Sequence, residues 1–595
     1  VAQVTASRPT PRALGWIGLA VLAAAAIAVS VVRLQRDAVR AQARAAVRAA
    51  LPGLREDGFV GSSACRVCHP GAFDSWHGTY HRTMTQAANE TSVLGRFDGE
   101  PLADGIVPER DATGVWFREG GVRRRVVMTT GSHHMQVYWH AEEDGSLRSA
   151  AWAWLREPAP GRFVPNDATL LRPPAETVAY TWNRVCIKCH AVAGNPGWDE
   201  TQQRVASEVA ELGIACEACH GPAAAHVAQH RDPWARYVAH ANDEADPTIV
   251  QPGRLSAPAA SEVCGQCHSI TVFADDEAWV VHGRSYPADT PAVHPALESY
   301  SHLVRHPLRA VLPAEEASDD DWIDPLLDAD PEFFTDRFWA DGMVRVSGRE
   351  YNGLVESPCF ASGDLSCTTC HSMHDAPATD QLRVAARSDA VCASCHEEVA
   401  AAGEAHGHHD PARVGCMDCH MPHTTYGLLG AIRSHQVDVP RAIVAVETGR
   451  PLACDLCHLD RPTAYSAEAL ARWYGHEIPA GLPAQTPASV VGTLAGDAGQ
   501  RALWAWHLGW EGATGRGDWV AALLAELLDD PYSAVRIVAQ RALRRAGLPE
   551  PTVDPLRDGV TARRQVLDRS GAALASGVIE MWLGRRNDRP VRLAE

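Results

Sequence analysis

Eight times along this chain a pair of cysteines with two residues between them is followed at once by a histidine. The sets are Cys65, Cys68 and His69; Cys186, Cys189 and His190; Cys216, Cys219 and His220; Cys264, Cys267 and His268; Cys367, Cys370 and His371; Cys392, Cys395 and His396; Cys416, Cys419 and His420; and Cys454, Cys457 and His458. They are numbered I to VIII in that order. Two cysteines so spaced lie close enough to form thioethers with the two vinyl groups of one haem, and the adjacent histidine reaches the iron as its proximal ligand. Structural zinc also uses paired cysteines, but zinc does not require a histidine directly after every second cysteine. The eight sets consume 16 of 17 cysteines and leave Cys359. The expected cofactors are therefore eight covalently attached haem c groups, with iron at His69, His190, His220, His268, His371, His396, His420 and His458. Cys359 by itself reads as a small buried hydrophobe.

Sets V, VI and VII begin 25 and 24 residues apart and fill 54 residues, which leaves room for little besides haems and their ligands. Of 28 histidines, eight belong to the sets and 20 remain. That supply is enough to give every iron a second axial imidazole.

The elements that position these residues must come from a chain of 595 residues, 46% hydrophobic, long enough for several domains. Its 18 tryptophans outnumber the tyrosines and the phenylalanines, as suits a protein in which porphyrin faces replace much of an ordinary core. The formal charge is −19, and eight haems would add roughly 16 propionate charges. This balance argues against nucleic-acid binding and calls for a redox partner with a basic patch.

Residues 14 to 32 form an uncharged run of 19. As a helix it would be about 28 Å long, against a hydrocarbon core of about 30 Å. We therefore expect residues 1–50 to be an uncleaved signal-anchor helix with a basic stalk, holding the protein in a bacterial cytoplasmic membrane with its haems on the periplasmic side. Residues 51–460 would be the haem-binding domain. Set II begins 121 residues after set I. Gly114 to Phe117, Arg125 to Thr130, Met135 to His140 and Leu147 to Trp154 read as strands of an antiparallel insertion over about 91–170. Set V begins 103 residues after set IV, and the acidic stretch Glu315 to Pro331 between them reads as a solvated loop. Residues 461–595 contain no cysteine. There Asp530-Pro531 is expected to open a helix with an apolar face of Val535, Val538, Ala539, Ala542 and Leu543, closed by Gly547. With the preceding Leu523, Leu524, Leu527 and Leu528, it resembles a HEAT-type repeat.

The stretches Gly61 to His81, Cys216-Glu-Ala-Cys-His-Gly-Pro with His226, Cys367 to His371 with His374, and Cys416 to His420 with Met421-Pro422 resemble a multihaem c-type cytochrome family. That family includes the tetrahaem electron carrier of ammonia-oxidising bacteria and, more distantly, octahaem hydroxylamine oxidoreductase. The resemblance implies a mainly α fold with extensive loops wrapped around eight haems, lying outside the cytoplasm. It also implies distal iron ligands at His81, His226, His374, His409 and His435, with the others among His77, His134, His230, His294, His302 and His423. All eight sets end in histidine, so the lysine-ligated haem of pentahaem nitrite reductase has no counterpart, and no tyrosine stands out as the cross-linking partner used by hydroxylamine oxidoreductase.

These readings favour a membrane-anchored cytochrome passing single electrons to or from periplasmic or membrane redox proteins. The alternative is an oxidoreductase acting on nitrite, hydroxylamine or a related nitrogen or sulfur compound at one open haem. A third role, docking to a larger complex through the C-terminal helices, is compatible with either.

Overall fold

The computed structural model describes residues 11–55, 57–173, 180–242, 245–283, 301–305, 323–572, 574 and 576–593. The cysteine–histidine sets lie on or beside helices of only four to nine residues, among them Ser62–Cys65, Ile187–His190, Cys216–His220, Ala257–Gly265, Cys367–Cys370, Ala390–Ala393, Cys416–His420 and Ala453–Cys457. One turn places a cysteine backbone carbonyl against the histidine N–H four residues on, as in His69 N to Cys65 O at 2.9 Å and His220's counterparts His190 to Cys186 and His268 to Cys264 at 2.9 Å each. That turn aims both sulfurs and the imidazole to one side.

The helix Pro11–Ala49 is continuous through the apolar run and the arginine-rich segment behind it. The expectation of a spanning anchor, and of a location fixed by it, is corrected here: among the described residues no helix is long and apolar enough to cross a membrane. Six of the 19 residues in the run are alanine, two are glycine and one is serine, and such small side chains gain little on leaving water. Arg33, Arg36, Asp37 and Arg40 then follow on the same helix.

Between sets I and II the chain forms two antiparallel sheets. Five strands run in the order Arg162–Pro165, Trp152–Leu155, Met135–Ala141, Met128–Thr130 and Thr85–Ala87, and a sixth, Leu147–Ser149, also pairs with Met135–Ala141. Val107–Asp111, Gly114–Glu119 and Val122–Arg125 make the second sheet. Their apolar faces meet in a cluster where the Phe97 ring stands edge-on to Phe117, Tyr138 and Phe163 at 5.1, 5.2 and 5.4 Å. Edge-to-face packing of this kind adds to area burial. Buried Gln136 is fully used: it accepts from Leu94 N–H and donates to the carbonyls of Ser92 and Gly131.

The C-terminal region is helical: Thr463–Tyr474, Ala488–Ala495, Ala498–Leu508, Trp519–Leu527, Ser533–Arg545, Gly559–Ser570 and Ser576–Leu583. Val535, Val538, Ala539, Ala542 and Leu543 are all buried, and Gly547 takes φ 67° just beyond the helix they form. Asp530 is not the N-cap of that helix. Tyr532 occupies the cap position, and the Asp530 carboxylate instead accepts from Arg501 at 2.6 and 3.1 Å and from Tyr532 N–H at 2.9 Å. A second buried pair, Arg345 with Asp497 at 2.8 and 2.9 Å, ties the segment ahead of set V to the N-cap of Ala498–Leu508. The apolar core is continuous across these regions, from Leu155 and Leu171 through Trp339 and Leu456 to Leu593. Within the stretch read as an acidic loop, Ile323–Ala329 is a helix; residues 315–322 lie outside those described.

Candidate metal centres

Six of the eight set histidines face a second histidine ring across a gap of one characteristic width. His69 faces His226 at 6.2 Å between ring centroids, His220 faces His374 at 6.2 Å, and His371 faces His435 at 6.4 Å. His420 faces His406 at 6.1 Å, His458 faces His409 at 5.9 Å, and His268 faces His81 at 6.2 Å. Rings in van der Waals contact would sit closer. With a metal–nitrogen bond of about 2.0 Å on each side and about 1.2 Å from nitrogen to ring centre, two imidazoles on opposite sides of one metal ion place their centroids roughly 6.4 Å apart. The donor sets therefore fit iron between paired histidines.

The second ring nitrogens agree with this. Nδ1 of His220, His420, His409 and His435 is hydrogen-bonded to the carbonyls of Val250, Asp438, Gly407 and Arg433 at 2.8, 2.8, 2.7 and 3.2 Å. His81 Nδ1 meets Gln381 Oε1 at 2.7 Å, His226 Nδ1 meets Asp246 Oδ2 at 2.8 Å, and His268 Nδ1 meets Glu350 Oε2 at 2.8 Å. Engaging Nδ1 fixes the ring and leaves Nε2 for a metal. Burial, aided by the charge of His268, pushes His81 down to about 4, so it is a neutral donor at ordinary pH. His268 runs the other way: burial disfavours its cation, but the hydrogen bond and charge of Glu350 prevail and raise it.

Local contacts explain how the short turns hold still. Buried Glu217, inside set III, accepts from the N–H groups of Val60, Gly61 and Ala223 at 3.0, 2.8 and 2.9 Å, clamping the approach to set I onto set III. Asp389, at the start of the set VI helix, accepts from Cys416 N–H at 2.8 Å and so anchors set VII. The helix Glu350–Val355 serves two centres at once. Glu350 holds His268, while Gly353 lies against the next ligand segment: a Cβ there would come within 2.9 Å of Gln436 N and 3.1 Å of His435 C.

The sets also abut in a fixed succession. Cys65 of set I neighbours Cys216 of set III, where the helix Ser62–Cys65 lies against Cys216–His220, and Cys219 of set III neighbours Cys264 in set IV. Cys264 neighbours Cys367 of set V, with the helix Ala257–Gly265 against Cys367–Cys370; Cys370 then neighbours Cys392 of set VI, which neighbours Cys416 of set VII. Cys419 of set VII neighbours Cys454 and Cys457 of set VIII. Set II joins from the side: Cys189 Sγ lies 3.9 Å from Cys267 O, and Cys267 Sγ lies 4.0 Å from Cys189 O. The order is I, III, IV, V, VI, VII, VIII, with II beside IV.

All five histidines named from the family resemblance, His81, His226, His374, His409 and His435, face a set histidine. His406 was missed. The run His406-Gly-His408-His409 was its signal, and it supplies two rings to two different sets, while His408 stacks on Trp473 at 4.2 Å. Of the unranked candidates, His77 stacks on Phe73, His134 lies against His133, His230 Nε2 shares Asp246 Oδ2 at 2.5 Å, and His423 is enclosed by Trp506, His507 and Trp510. None of these four faces a set histidine. His294 and the side chain of His302 lie outside the described residues. Among the described residues, His190 of set II and His396 of set VI have no facing histidine. His190 Nδ1 is buried without a hydrogen-bond partner, whereas His396 is exposed.

Residues 358–401 match the family model described as a doubled CXXCH motif. The outer cell wall cytochrome OcwA is a solved structure to which this chain is similar, at 17% identity and a TM-score of 0.46, covering 86% of this chain and 100% of that one. No curated protein matches the sequence. The doubled motif at 358–401, with the same cysteine–histidine set at further places in the chain, marks a multihaem c-type cytochrome with covalently bound haem c.

Proposed function

We propose that this protein is an octahaem cytochrome that carries single electrons along the succession I, III, IV, V, VI, VII, VIII, with II joined at IV. The observation that carries this reading is the six pairs of facing histidines. An iron with both axial positions filled changes oxidation state without binding substrate, and the surrounding protein tunes its potential. In this reading His226, His374, His81, His435, His406 and His409 are the distal ligands of haems I, III, IV, V, VII and VIII. The neighbouring cysteines of successive sets support this order of transfer, since each haem would be attached beside the next. The acidic charge of the chain, −19 before any propionates, favours a redox partner with a basic face and a rate of association that falls with salt. The C-terminal helices, read as a HEAT-like stack, offer a second surface for docking to a larger assembly. A pyridine haemochrome assay on the purified protein should give eight haem c per chain, and six or fewer would contradict the count.

A second reading has one specific observation behind it. His190 and His396 have no facing histidine among the described residues; of the two, buried His190 belongs to haem II, beside the wire rather than within it, which makes haem II the first candidate for an open iron that binds a small nitrogen or sulfur compound. Stoichiometric high-spin ferric iron that shifts on adding nitrite, hydroxylamine or cyanide would support this reading, and its absence would leave haem II a carrier.

A further inference from the structure

The partners of the ligand histidines differ in charge: a carboxylate meets Nδ1 at the end of the wire, where Asp246 faces His226 of haem I at 2.8 Å, and again at its junction. Haems III, V, VII and VIII have ligands whose Nδ1 bonds go to backbone carbonyls. Haem IV, where II, III and V meet, has His268 bonded to the carboxylate of Glu350 at 2.8 Å. We propose that Glu350 is a positioning residue that lowers the reduction potential of haem IV below those of haems V and VII, so that the junction is an uphill step for an electron crossing between the two arms of the wire. This rests on the ligand pairing proposed above.

The physical argument has two parts of the same sign. A carboxylate accepting the Nδ1–H gives the imidazole partial imidazolate character, and a stronger donor stabilises the ferric over the ferrous state. The fixed negative charge also favours the extra positive charge of ferric iron, in a site where burial leaves little water to screen it. Both carboxylate oxygens of Glu350 are engaged as acceptors, Oε2 by His268 Nδ1 and Oε1 by Gly348 N–H, at 2.8 Å each, so the group is fixed against the ring.

Haem IV carries its own spectroscopic label. The planes of His81 and His268 cross at 77°, whereas the other five pairs lie between 12° and 39°. Near-perpendicular imidazole planes leave two iron d orbitals nearly degenerate and give a single low-spin signal at unusually large g. Near-parallel planes split those orbitals and give ordinary rhombic signals.

The test is a potentiometric titration at one pH followed by electron paramagnetic resonance. In the unaltered protein the large-g signal should be lost to reduction only after the rhombic signals of haems V and VII. In Glu350→Gln the same signal should disappear at a higher potential, by at least a tenfold change in its reduction equilibrium constant, about 59 mV for one electron. Glu350→Asp, which keeps the charge, should move it less. A large-g signal that titrates first in the unaltered protein, or that stays put in Glu350→Gln, overturns the role of Glu350 and leaves the pairing intact. Absence of any large-g signal overturns the pairing of His81 with His268, and the inference with it.

Discussion

Residues 355–425 and the C-terminal helices solve the same problem of stability by opposite means. The first region holds three cysteine–histidine sets on helices of four or five residues, and among its residues Ala386 and Pro422 are the only buried apolar side chains. The second packs Val520 to Ala525 and Val535 to Leu543 into a dry core on helices of nine and 13 residues. Isolated helices shorter than about 12 residues are marginal in water, so the short turns of the first region need something to pack against. Haem faces supply it. The C-terminal helices need no cofactor, because leucine, valine and alanine supply their core.

That contrast is broken most severely by withholding haem. Expressed without haem attachment, the chain should lose amide protection throughout 355–425, while 519–545 stays protected to within about tenfold of the haem-loaded protein. Hydrogen exchange read by mass spectrometry checks this, and equal loss in both regions would remove the distinction.

The next largest effect belongs to the C-terminal side alone. Arg501 and Asp530 are fully buried against each other, and removing one partner of such a pair costs about 3–5 kcal/mol because the other charge is stranded. Asp530→Ala should therefore lower the unfolding midpoint of the C-terminal helices, followed by tryptophan fluorescence, with haem absorption unchanged at the start of the transition. Simultaneous loss of both signals would show that the two regions unfold as one.

A smaller effect sharpens the boundary between them. His507, on the C-terminal side, meets the carbonyl of His423 at 3.0 Å, and burial pushes it down to about 4. Between about 4 and the ordinary histidine value of about 6.5 the unfolded chain binds a proton that the folded chain does not, so stability falls as pH drops through that window. The loss is on the order of 3 kcal/mol once the window has been crossed. His507→Gln, which keeps an N–H for the carbonyl, should flatten the dependence of the unfolding midpoint on pH between 4 and 6.5.

What could be read from the sequence follows the same division. Haem attachment demands contiguous residues, so all eight sets stand out in the chain. Strands also stand out, since alternation is local: Gly114 to Phe117 and Met135 to His140 lie within strands of the structure. Histidines that face a set histidine are separated from it in sequence, as His81 is from His268, and family resemblance rather than spacing pointed to five such rings. His406 escaped because three histidines within four residues offered no local reason to choose two. Asp530 was misread as a helix cap because its partner Arg501 lies 29 residues away, and nothing local announces a buried ion pair. The expectation at 14–32 rested on the run's lack of charge, and among the described residues no helix is long and apolar enough to cross a membrane.

Near-infrared magnetic circular dichroism of the fully oxidised protein tests the central claim most directly, because its charge-transfer band reports iron bound by two imidazoles and can be counted against total haem. Six facing pairs predict at least six bis-histidine haems per chain, and His406→Ala should remove one of them while leaving the haem count unchanged. Fewer than six in the unaltered protein, or no loss in His406→Ala, would contradict the account.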